Sequence, residues 1–527
     1  MSNPVTRSLH DIRRALLARE ELALIDVREE DPYAQEHPLF AVNIPLSKLE
    51  IEVYARVPRR DTAVTLYDDG EGLAATAAER LRALGYTNVA LLEGGLAGWR
   101  AAGGELFRDV NVPSKAFGEL VESVRHTPSL AAEQVQALLD AKANVVVLDA
   151  RRFDEYQTMS IPGGISVPGA ELVLRVAELA PDPATQVIVN CAGRTRSIIG
   201  TQSLVNAGIP NPVAALRNGT IGWTLAGQQL AHGQERRFTE VSAGTRSHAG
   251  QQARAVADRA GVLRLTTVGL ADWQADSTRT TYLFDVRTPE EYTAAHLPGS
   301  RSVPGGQLVQ ETDHVASVRG ARIVLLDNDG VRANMSASWL AQMGWEVAVL
   351  DGLAEADFSA QGEWQPPLPG LPTASEIGVA QLADWLQEDG TVLLDFTTSA
   401  NYVKRHIPGA HWAIRAQLAE ALEHVPQAQR YVLTCGSSLL ARFAAHDLQA
   451  LTRTPVYVLE GGTAQWIAAG QPLETGETRL AVPRSDRYRR PYEGTDNPRE
   501  AMQGYLDWEF GLIAQLERDG THGFKVL

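Results

Sequence analysis

The chain has 527 residues, of which 44% are hydrophobic and 21% charged, a composition that excludes wholesale disorder. This length exceeds what one hydrophobic core supports, so we expect roughly three or four domains. The 64 acidic residues outnumber the 48 basic ones, which disfavours sequence-independent binding to nucleic-acid phosphates. Two cysteines are too few for a disulfide framework or a four-thiolate zinc site.

The sequence shows no sign of a membrane segment or an export signal. No apolar run reaches the ~18 residues that a spanning helix needs. The opening segment MSNPVTRSLHDIRRALLARE lacks the apolar centre of a signal peptide. We therefore expect a cytoplasmic protein whose partners are neither membranes nor nucleic acids.

A repeated pattern organises the chain. An apolar segment that ends in aspartate occurs four times, and a tyrosine follows each aspartate at the same offset. The pairs are Asp26 and Tyr33, Asp149 and Tyr156, Asp285 and Tyr292, and Asp395 and Tyr402. A turn containing proline follows, clearest as HLPG at 296–299 and HIPG at 406–409. Each copy therefore begins with a predicted buried strand.

The second half of each copy contains two further predicted strands. The first of them, AVTLY, QVIVN, RIVLL or RYVLT, leads through a polar turn into an amphipathic helix. The last strand ends at a glycine turn, at 93–95, 217–219, 351–352 and 460–462. Strands alternating with helices predict an α/β fold with four repeated domains, each a small parallel sheet flanked by helices.

We place the domain boundaries from the limits of these copies. The four domains and a C-terminal helical tail are expected at 1–108, 126–236, 262–366, 373–475 and 476–527. The segments PSKAFGELVESVRH and HAGQQARAVADRAG predict helices inserted before the second and third domains.

The tail contains one predicted helix. Asn497 is its expected N-cap, Pro498 its first residue and Gly520 its stop. Its apolar residues predict a docking face rather than a catalytic one, made of Tyr505, Leu506, Trp508, Leu512, Ile513 and Leu516.

Both cysteines fall on one equivalent position of the repeat. The spacing from the strand-ending aspartate to this position is 42 residues in three copies and 40 in the fourth. The residues at this position are Asp68, Cys191, Asp327 and Cys435. Because reactive groups in parallel sheets lie at the carboxyl ends of strands, we predict that both cysteines are functional.

The turn after Cys191 reads CAGRTRS through Ser197. Backbone N–H groups at a helix N-terminus stabilise an anion, so we expect a depressed pKa for Cys191. Arg194 and Arg196 should lower this pKa further and form a cationic mouth for a small anionic substrate. In the alternative interpretation, both arginines merely pair with surface carboxylates.

The repeated unit resembles the rhodanese domain, through its D-[VA]-R, H-x-P-G and E-G-G-x3-W signatures. The loop from Cys191 to Ser197 looks like the sulfurtransferase loop of that family. The resemblance implies that Cys191 is the nucleophile, which takes sulfur from a small anionic donor such as thiosulfate. The resulting persulfide would pass its sulfur to cyanide or a thiol. The implied substrate-binding residues are Ala192, Gly193, Arg194, Thr195, Arg196 and Ser197. We expect no cofactor and no metal.

The other three copies differ at the cysteine loop. The loop after Cys435 partly resembles that of the mercaptopyruvate sulfurtransferase branch, with Ser438 in place of a glycine and Leu440 in place of a hydroxyl residue. Cys435 is either a second carrier, which we favour, or an inert relic. Asp68 and Asp327 cannot accept sulfane sulfur, so the first and third domains are predicted to be inactive, with these carboxylates capping the next helix.

Three functions compete at this stage. The first is a thiosulfate-type sulfurtransferase centred on Cys191, with a mercaptopyruvate-type donor at the fourth domain as a variant. The second is a protein-to-protein persulfide relay through Cys191 and Cys435, with a protein sulfur acceptor. The third is a non-catalytic scaffold, which the arginines of the Cys191 loop disfavour. A phosphatase is also disfavoured, because related phosphatases use a loop one residue longer.

Overall fold

The computed structural model describes residues 5–527, and within that range it contains four five-stranded sheets. Strand order is the same in each: the first strand of the domain lies at an edge, followed by the fifth, fourth, second and third. The paired strands are parallel throughout. The predicted α/β fold, with four repeated domains and a helical tail, is confirmed. No helix in residues 5–527 has the length and apolar character needed to span a bilayer.

The first two domains follow the same order of elements. The strands of the first are β1 (Thr6–Arg7), β2 (Leu22–Asp26), β3 (Ala41–Asn43), β4 (Ala63–Tyr67) and β5 (Val89–Leu92), and its helices are α1 (Leu9–Ala18), α2 (Glu30–Gln35), α3 (Leu49–Arg56), α4 (Leu73–Ala83) and α5 (Gly95–Ala101). The inserted helix α6 (Val112–Arg125) precedes the second domain. Its strands are β6 (Ser129–Leu130), β7 (Val145–Asp149), β8 (Ile165–Ser166), β9 (Gln186–Asn190) and β10 (Val213–Leu216), and its helices are α7 (Ala132–Asp140), α8 (Phe153–Thr158), α9 (Leu172–Leu179), α10 (Thr195–Ala207) and α11 (Gly219–Leu225).

The third and fourth domains repeat this order with small changes. The inserted helix α12 (Ala243–Arg259) leads into β11 (Leu263–Leu265), β12 (Thr281–Asp285), β13 (Arg301–Ser302), β14 (Arg322–Leu326) and β15 (Glu346–Leu350), with helices α13 (Thr267–Ala275), α14 (Pro289–Ala294), α15 (Gly305–Gln310), α16 (Thr312–Val315) and α17 (Arg332–Gln342). The fourth domain has β16 (Ser375–Ile377), β17 (Thr391–Asp395), β18 (His411–Trp412), β19 (Arg430–Thr434) and β20 (Val456–Leu459), with α18 (Val379–Trp385), α19 (Ser399–Lys404), α20 (Leu418–Glu423), α21 (Leu439–Leu451) and α22 (Gly462–Ala468). Short 3₁₀ turns lie at Leu46–Lys48, Gly169–Glu171, Glu355–Asp357 and Arg415–Gln417.

The repeated aspartate and tyrosine have structural roles. Asp149 ends β7 and accepts two hydrogen bonds from the guanidinium of Arg151, which also donates to the carbonyl of Met159 at 2.6 Å. Tyr156 donates from its hydroxyl to the carbonyl of Gly164 at 2.8 Å. Equivalent tyrosine bonds recur in the other domains, and the ion pair recurs in the first and third. These residues therefore fix the turn after the first long strand.

The inserted helices join the domains. α6 packs along α10, the helix that follows Cys191, and Phe117 of α6 contributes to a core shared with the first and third domains and the tail. The fourth domain is joined to the first by Arg415, which donates to both carboxylate oxygens of Glu50 at 2.6 and 3.0 Å. The predicted inserted helices are confirmed.

The tail forms two helices instead of the single predicted one. α23 (Arg499–Phe510) has Pro498 as its N-cap, so the assignment of Asn497 to that position was wrong by one residue. The helix is interrupted at Gly511, and α24 (Leu512–Asp519) follows. This second helix ends at Gly520, in the left-handed conformation, as predicted. The docking face is buried at Tyr505, Leu506, Leu512 and Leu516 and half-buried at Trp508 and Ile513.

Candidate functional site

Cys191 lies between the end of β9 and the start of α10, as the repeat predicts. It is 2% exposed, and its thiol donates to the hydroxyl of Ser197 at 3.3 Å. Ser197 in turn donates to the carbonyl of Arg194 at 2.8 Å. The loop therefore closes into a ring around the sulfur, at the N-terminal end of a 13-residue helix.

The glycine turn after β10 packs against this loop and binds its backbone carbonyls. The backbone N–H groups of Thr220 and Ile221 donate to the carbonyls of Cys191 and Ala192 at 2.9 and 3.0 Å. Gly219 has a φ of +57°, and a Cβ there would lie 2.3 Å from the carbonyl oxygen of Cys191. The glycine signature thus serves the cysteine loop, since a side chain at this position would displace it.

Arg196 is the loop arginine that acts on the thiol. Its guanidinium makes a two-point ion pair with Glu155, at 2.7 and 2.8 Å. Burial acts to raise the pKa of Glu155, but Arg196, together with Arg151 and Arg152, outweighs it and brings this pKa down to about 2. Arg196 also borders a cavity of about 390 Å³ between the second domain and the tail.

Arg194 takes a different direction. Its guanidinium donates to both carboxylate oxygens of Glu119 on α6, at 2.7 and 2.8 Å, and also pairs with Glu122. It lies 4.2 Å from the ring centroid of Phe510. Arg194 therefore does not join Arg196 in the predicted cationic mouth, and both loop arginines are paired with carboxylates.

The expected depression of the Cys191 pKa is also wrong in direction. Burial raises the pKa of this thiol, and the positive charge of Arg196 and the hydrogen bonds with the side chain and backbone of Ser197 offset only part of that effect. The carboxyl of Glu509 raises this pKa further. The local argument from the helix N-terminus holds, but desolvation of the closed site outweighs it.

Ala192, Gly193 and Thr195 complete the loop, and their substrate-binding role stays a prediction. Ala192 and Thr195 are buried, and the Thr195 hydroxyl has no hydrogen-bond partner among the described residues. Gly193 lies under the tail, where a Cβ would come within 3.0 Å of Tyr505 and 3.3 Å of Glu509.

The covering residues of the tail are functional candidates that sequence reasoning missed. Tyr505 and Glu509 lie on the apolar stripe of α23 with Met502 and Leu506. The sequence contained a signal for this role, namely an acidic residue on the apolar stripe of the helix. Acidic residues are rarely fully buried unless they are paired.

Cys435 occupies the same position in the fourth domain, between β19 and α21. Burial raises the pKa of its thiol, against four backbone N–H groups that lower it, those of Ser437, Ser438, Leu440 and Ala441. Ser438 has a φ of +81°, in the left-handed region that favours glycine. This is the position where the resembled loop has glycine.

A cavity of about 350 Å³ opens beside the Cys435 loop. Gly436 of the loop, Asn401 and the basic residues Lys404 and Arg405 are among its lining residues. Arg442 does not complete this site, because it pairs with Glu376.

The aspartates of the first and third domains cap the helix that follows them, as predicted. Asp68 accepts hydrogen bonds from the N–H groups of Gly70 and Ala74, at 3.0 and 2.8 Å. Asp327 accepts from Gly330 and Ala333, at 2.9 and 2.7 Å.

The comparison with protein families agrees with this geometry. The model of the rhodanese-like domain matches residues 10–102, 131–226, 269–356 and 378–469, one match in each sheet-containing unit. The chain therefore belongs to the rhodanese family. Its whole length is similar to a crystal structure of thiosulfate sulfurtransferase from Pseudomonas aeruginosa, with 76% identity, a TM-score of 0.98, and coverage of 99% of this chain and 100% of that one.

Two curated relatives are similar to parts of the chain. Thiosulfate sulfurtransferase PspE of Escherichia coli is 37% identical over 65 residues, which is 12% of this chain and 62% of the relative. An uncharacterized protein of Synechocystis is 31% identical over 99 residues, which is 19% of this chain and 54% of the relative. The matched segments thus span less than two thirds of these relatives and bear on single domains.

Proposed function

We propose that the chain is a thiosulfate sulfurtransferase that carries sulfane sulfur as a persulfide on Cys191. The observation that carries this proposal is the position of the Cys191 thiol, at the N-terminal end of α10 beside Arg196 and Ser197. The similarity to the Pseudomonas aeruginosa enzyme along the whole chain supports thiosulfate as donor.

In the first half-reaction, the Cys191 thiolate attacks the outer, sulfane sulfur of thiosulfate. A bond forms between the two sulfurs, and the S–S bond of thiosulfate breaks with its electron pair leaving on sulfite. The thiol proton goes to solvent before the attack. Arg196 is proposed to attract the donor, since its positive charge is the one in the loop that acts on the Cys191 sulfur.

In the second half-reaction, a thiophilic acceptor such as cyanide or a thiol attacks the outer sulfur of the persulfide. The bond between this sulfur and Cys191 breaks, and its electron pair returns to Cys191 as the thiolate. The backbone N–H groups at the start of α10, including that of Ser197, are proposed to stabilise that negative charge.

The test is mass analysis of cysteine peptides after thiosulfate treatment, combined with turnover of thiosulfate and cyanide. Wild-type protein and Cys435→Ser are expected to gain one sulfur atom on the Cys191 peptide and to turn over. Cys191→Ser is expected to lose thiocyanate production, because a hydroxyl cannot hold a persulfide. Activity retained by Cys191→Ser would remove this cysteine from its proposed role.

A second carrier site at Cys435 is favoured by its own cavity. Four backbone N–H groups lower the pKa of this thiol, and Lys404 and Arg405 line the cavity that opens at Gly436. This suits a small anionic donor such as 3-mercaptopyruvate. We expect sulfur on the Cys435 peptide after treatment with that donor, and less of it in the double variant Lys404→Ala, Arg405→Ala. No sulfur on this peptide with either donor makes Cys435 a relic.

The same proposal assigns the chemistry to residues 126–236 and 373–475, and leaves 1–108 and 262–366 without sulfur transfer. The cytoplasm is the proposed compartment, because both cysteines are free thiols. A persulfide relay to a protein acceptor needs the loop to be uncovered, since Tyr505 and Glu509 lie on Gly193.

A further inference from the structure

Glu509 is a buried acidic residue outside the four repeated domains, and no repeat motif explains it. Its side chain lies on the apolar stripe of α23 and is 0% exposed. The hydroxyl of Tyr505 donates to Oε1 at 2.9 Å, whereas Oε2 is buried without a hydrogen-bond partner among residues 5–527. A buried carboxylate oxygen without a hydrogen-bond partner destabilises the folded protein. Its presence here therefore suggests a role in binding a ligand or in catalysis.

The unpartnered oxygen faces the active loop. A Cβ built on Gly193 would lie 3.3 Å from Oε2 of Glu509 and 3.0 Å from the ring of Tyr505. Gly193 is two residues after Cys191, and the charge of Glu509 acts on the Cys191 thiol by raising its pKa. The carboxyl group is therefore part of the surroundings of the sulfur.

The two cations that lower the pKa of Glu509 are held by other carboxylates. Lys115 of α6 pairs with Asp109 at 2.6 Å, and Arg194 of the loop pairs with Glu119 of α6. The carboxyl of Glu509 thus has charged neighbours on α6 and on the loop, but its Oε2 forms no ion pair.

These neighbours and burial together set the proton affinity of Glu509. Burial raises its pKa to about 8, and the negative charge of Glu119 acts in the same direction. Lys115, Tyr505 and Arg194 lower it, but by less. With a pKa of about 8, the carboxyl group is mostly protonated at pH 7 and gains the ionised form that a general base needs as the pH approaches 8.

We propose that Glu509 is the general base for thiol acceptors, and that its Oε2 takes the proton of an incoming thiol during attack on the Cys191 persulfide. This inference rests on the proposed function, because it needs a persulfide at Cys191. It supplies to the second domain a catalytic residue from the tail.

The acceptor S–H bond breaks and its proton goes to Oε2 of Glu509, while the electron pair stays on the acceptor sulfur. That sulfur forms a bond to the outer sulfur of the persulfide. The bond between the outer sulfur and Cys191 breaks, and its pair returns to Cys191 as the thiolate. Glu509 releases its proton to water when the product leaves.

A cavity lies where the loop meets the tail. The cavity of about 390 Å³ is bordered by Arg196 of the loop and by Tyr492 of the tail. The ring centroid of Tyr492 lies 5.3 Å from that of Tyr505, whose hydroxyl is bound to Glu509. A thiol entering there meets the loop and the tail together.

The experiment uses the full chain with its persulfide formed first by thiosulfate and verified by mass. Loss of the persulfide is then followed after mixing with dithiothreitol, a neutral thiol, or with 5-thio-2-nitrobenzoate, a thiol already ionised near pH 8. In Glu509→Gln, we expect the reaction with dithiothreitol to slow by about 100-fold and that with the ionised thiol by less than about threefold. Equal slowing of both reactions, or of neither, overturns the inference.

A second variant tests the same inference if Glu509→Gln fails to fold. Tyr505→Phe retains the ring on Gly193 but removes the hydrogen bond to Glu509. Loss of this bond raises the pKa of Glu509 and so favours its protonated form. We expect the rate of persulfide loss with dithiothreitol to rise at a higher pH in this variant than in wild type. An unshifted pH profile overturns the inference. If wild-type protein forms no persulfide on Cys191, the proposed function itself fails, which is a different result from slow acceptor transfer.

Discussion

The carboxylate of Asp327 accepts a hydrogen bond of 2.7 Å from the backbone N–H of Ala333, which stands at the register position of Ser197. In the fourth domain, the N–H at this register position, that of Ala441, acts on the sulfur of Cys435. The N-terminal end of this helix is therefore a site for one negative charge, and in the third domain a carboxylate takes the place of the sulfur.

This equivalence predicts what is needed to restore an active loop in the third domain. Asp329, at the position of Gly193, accepts from the backbone of Val331 at 2.7 Å and from the side chain of Arg332 at 2.6 Å. Its carboxylate therefore accepts the hydrogen bonds of a backbone N–H and an arginine that would otherwise bind the anionic donor. We expect Asp327→Cys alone to stay free of sulfur after thiosulfate treatment, whereas Asp327→Cys with Asp329→Gly gains one sulfur atom by mass.

The matched control for this experiment is Asp68→Cys in the first domain. Its turn contains Asp69 and Glu71, and Leu73 stands at the position of Arg196. Like-charge repulsion should raise the pKa of a thiol there and repel an anionic donor. Sulfur on the Asp68→Cys peptide, or equal labelling of the two third-domain variants, contradicts the explanation by local charge.

The second prediction concerns the binding of the donor. Arg196→Ala should lower kcat/KM for thiosulfate by about 10- to 150-fold, the equivalent of about 1.5–3 kcal/mol for a hydrogen bond to a charged group. Arg152→Ala is the control, because Arg152 borders the same cavity but its side chain is 54% exposed. Steady-state kinetics with thiosulfate and cyanide make the comparison, and equal losses in the two variants would assign the effect to general electrostatics.

The third prediction tests the glycine beneath the loop. Gly219→Ala places a Cβ 2.3 Å from the carbonyl oxygen of Cys191, whereas Gly208→Ala, at a φ of +74°, meets nothing within 4 Å. Both variants strain the backbone, at a cost of about 1 kcal/mol. We expect only Gly219→Ala to lose most of its sulfur transfer, and its urea midpoint to fall further than that of Gly208→Ala. Similar activities of the two variants would show that the contact is relieved without moving the loop.

Repeat spacing predicted the fold and the position of the site, because both depend on local order along the chain. Cys191, Asp327 and Cys435 lie where their register places them, at the ends of equivalent strands. The edge strands of two or three residues, such as β1 and β6, were not predicted, because they are too short to show alternation.

The surroundings of the site could not be predicted in the same way. The partner of Arg194 is Glu119, on a helix outside the repeat, and the cover of Gly193 is Glu509, more than three hundred positions later. Such contacts depend on how the domains pack, and they decide both the direction of Arg194 and the burial of Cys191. The pKa of the thiol was therefore predicted in the wrong direction from the loop alone.

The last prediction follows from this raised pKa of Cys191, which lies above the ordinary thiol value of 9.0. The thiolate is a minor form at neutral pH, so the rate of alkylation of Cys191 by iodoacetamide should keep rising with pH up to and beyond 9.0. Because the folded state disfavours the ionised thiol, its contribution to the free energy of unfolding is complete below the ordinary pKa and is lost as the pH rises through the folded one. Between neutral pH and pH values above 9.0, wild type should therefore lose more stability in urea than Cys191→Ser. An alkylation rate that levels off below neutral pH, or equal losses of stability in the two proteins, would show that the loop N–H groups and Arg196 outweigh burial.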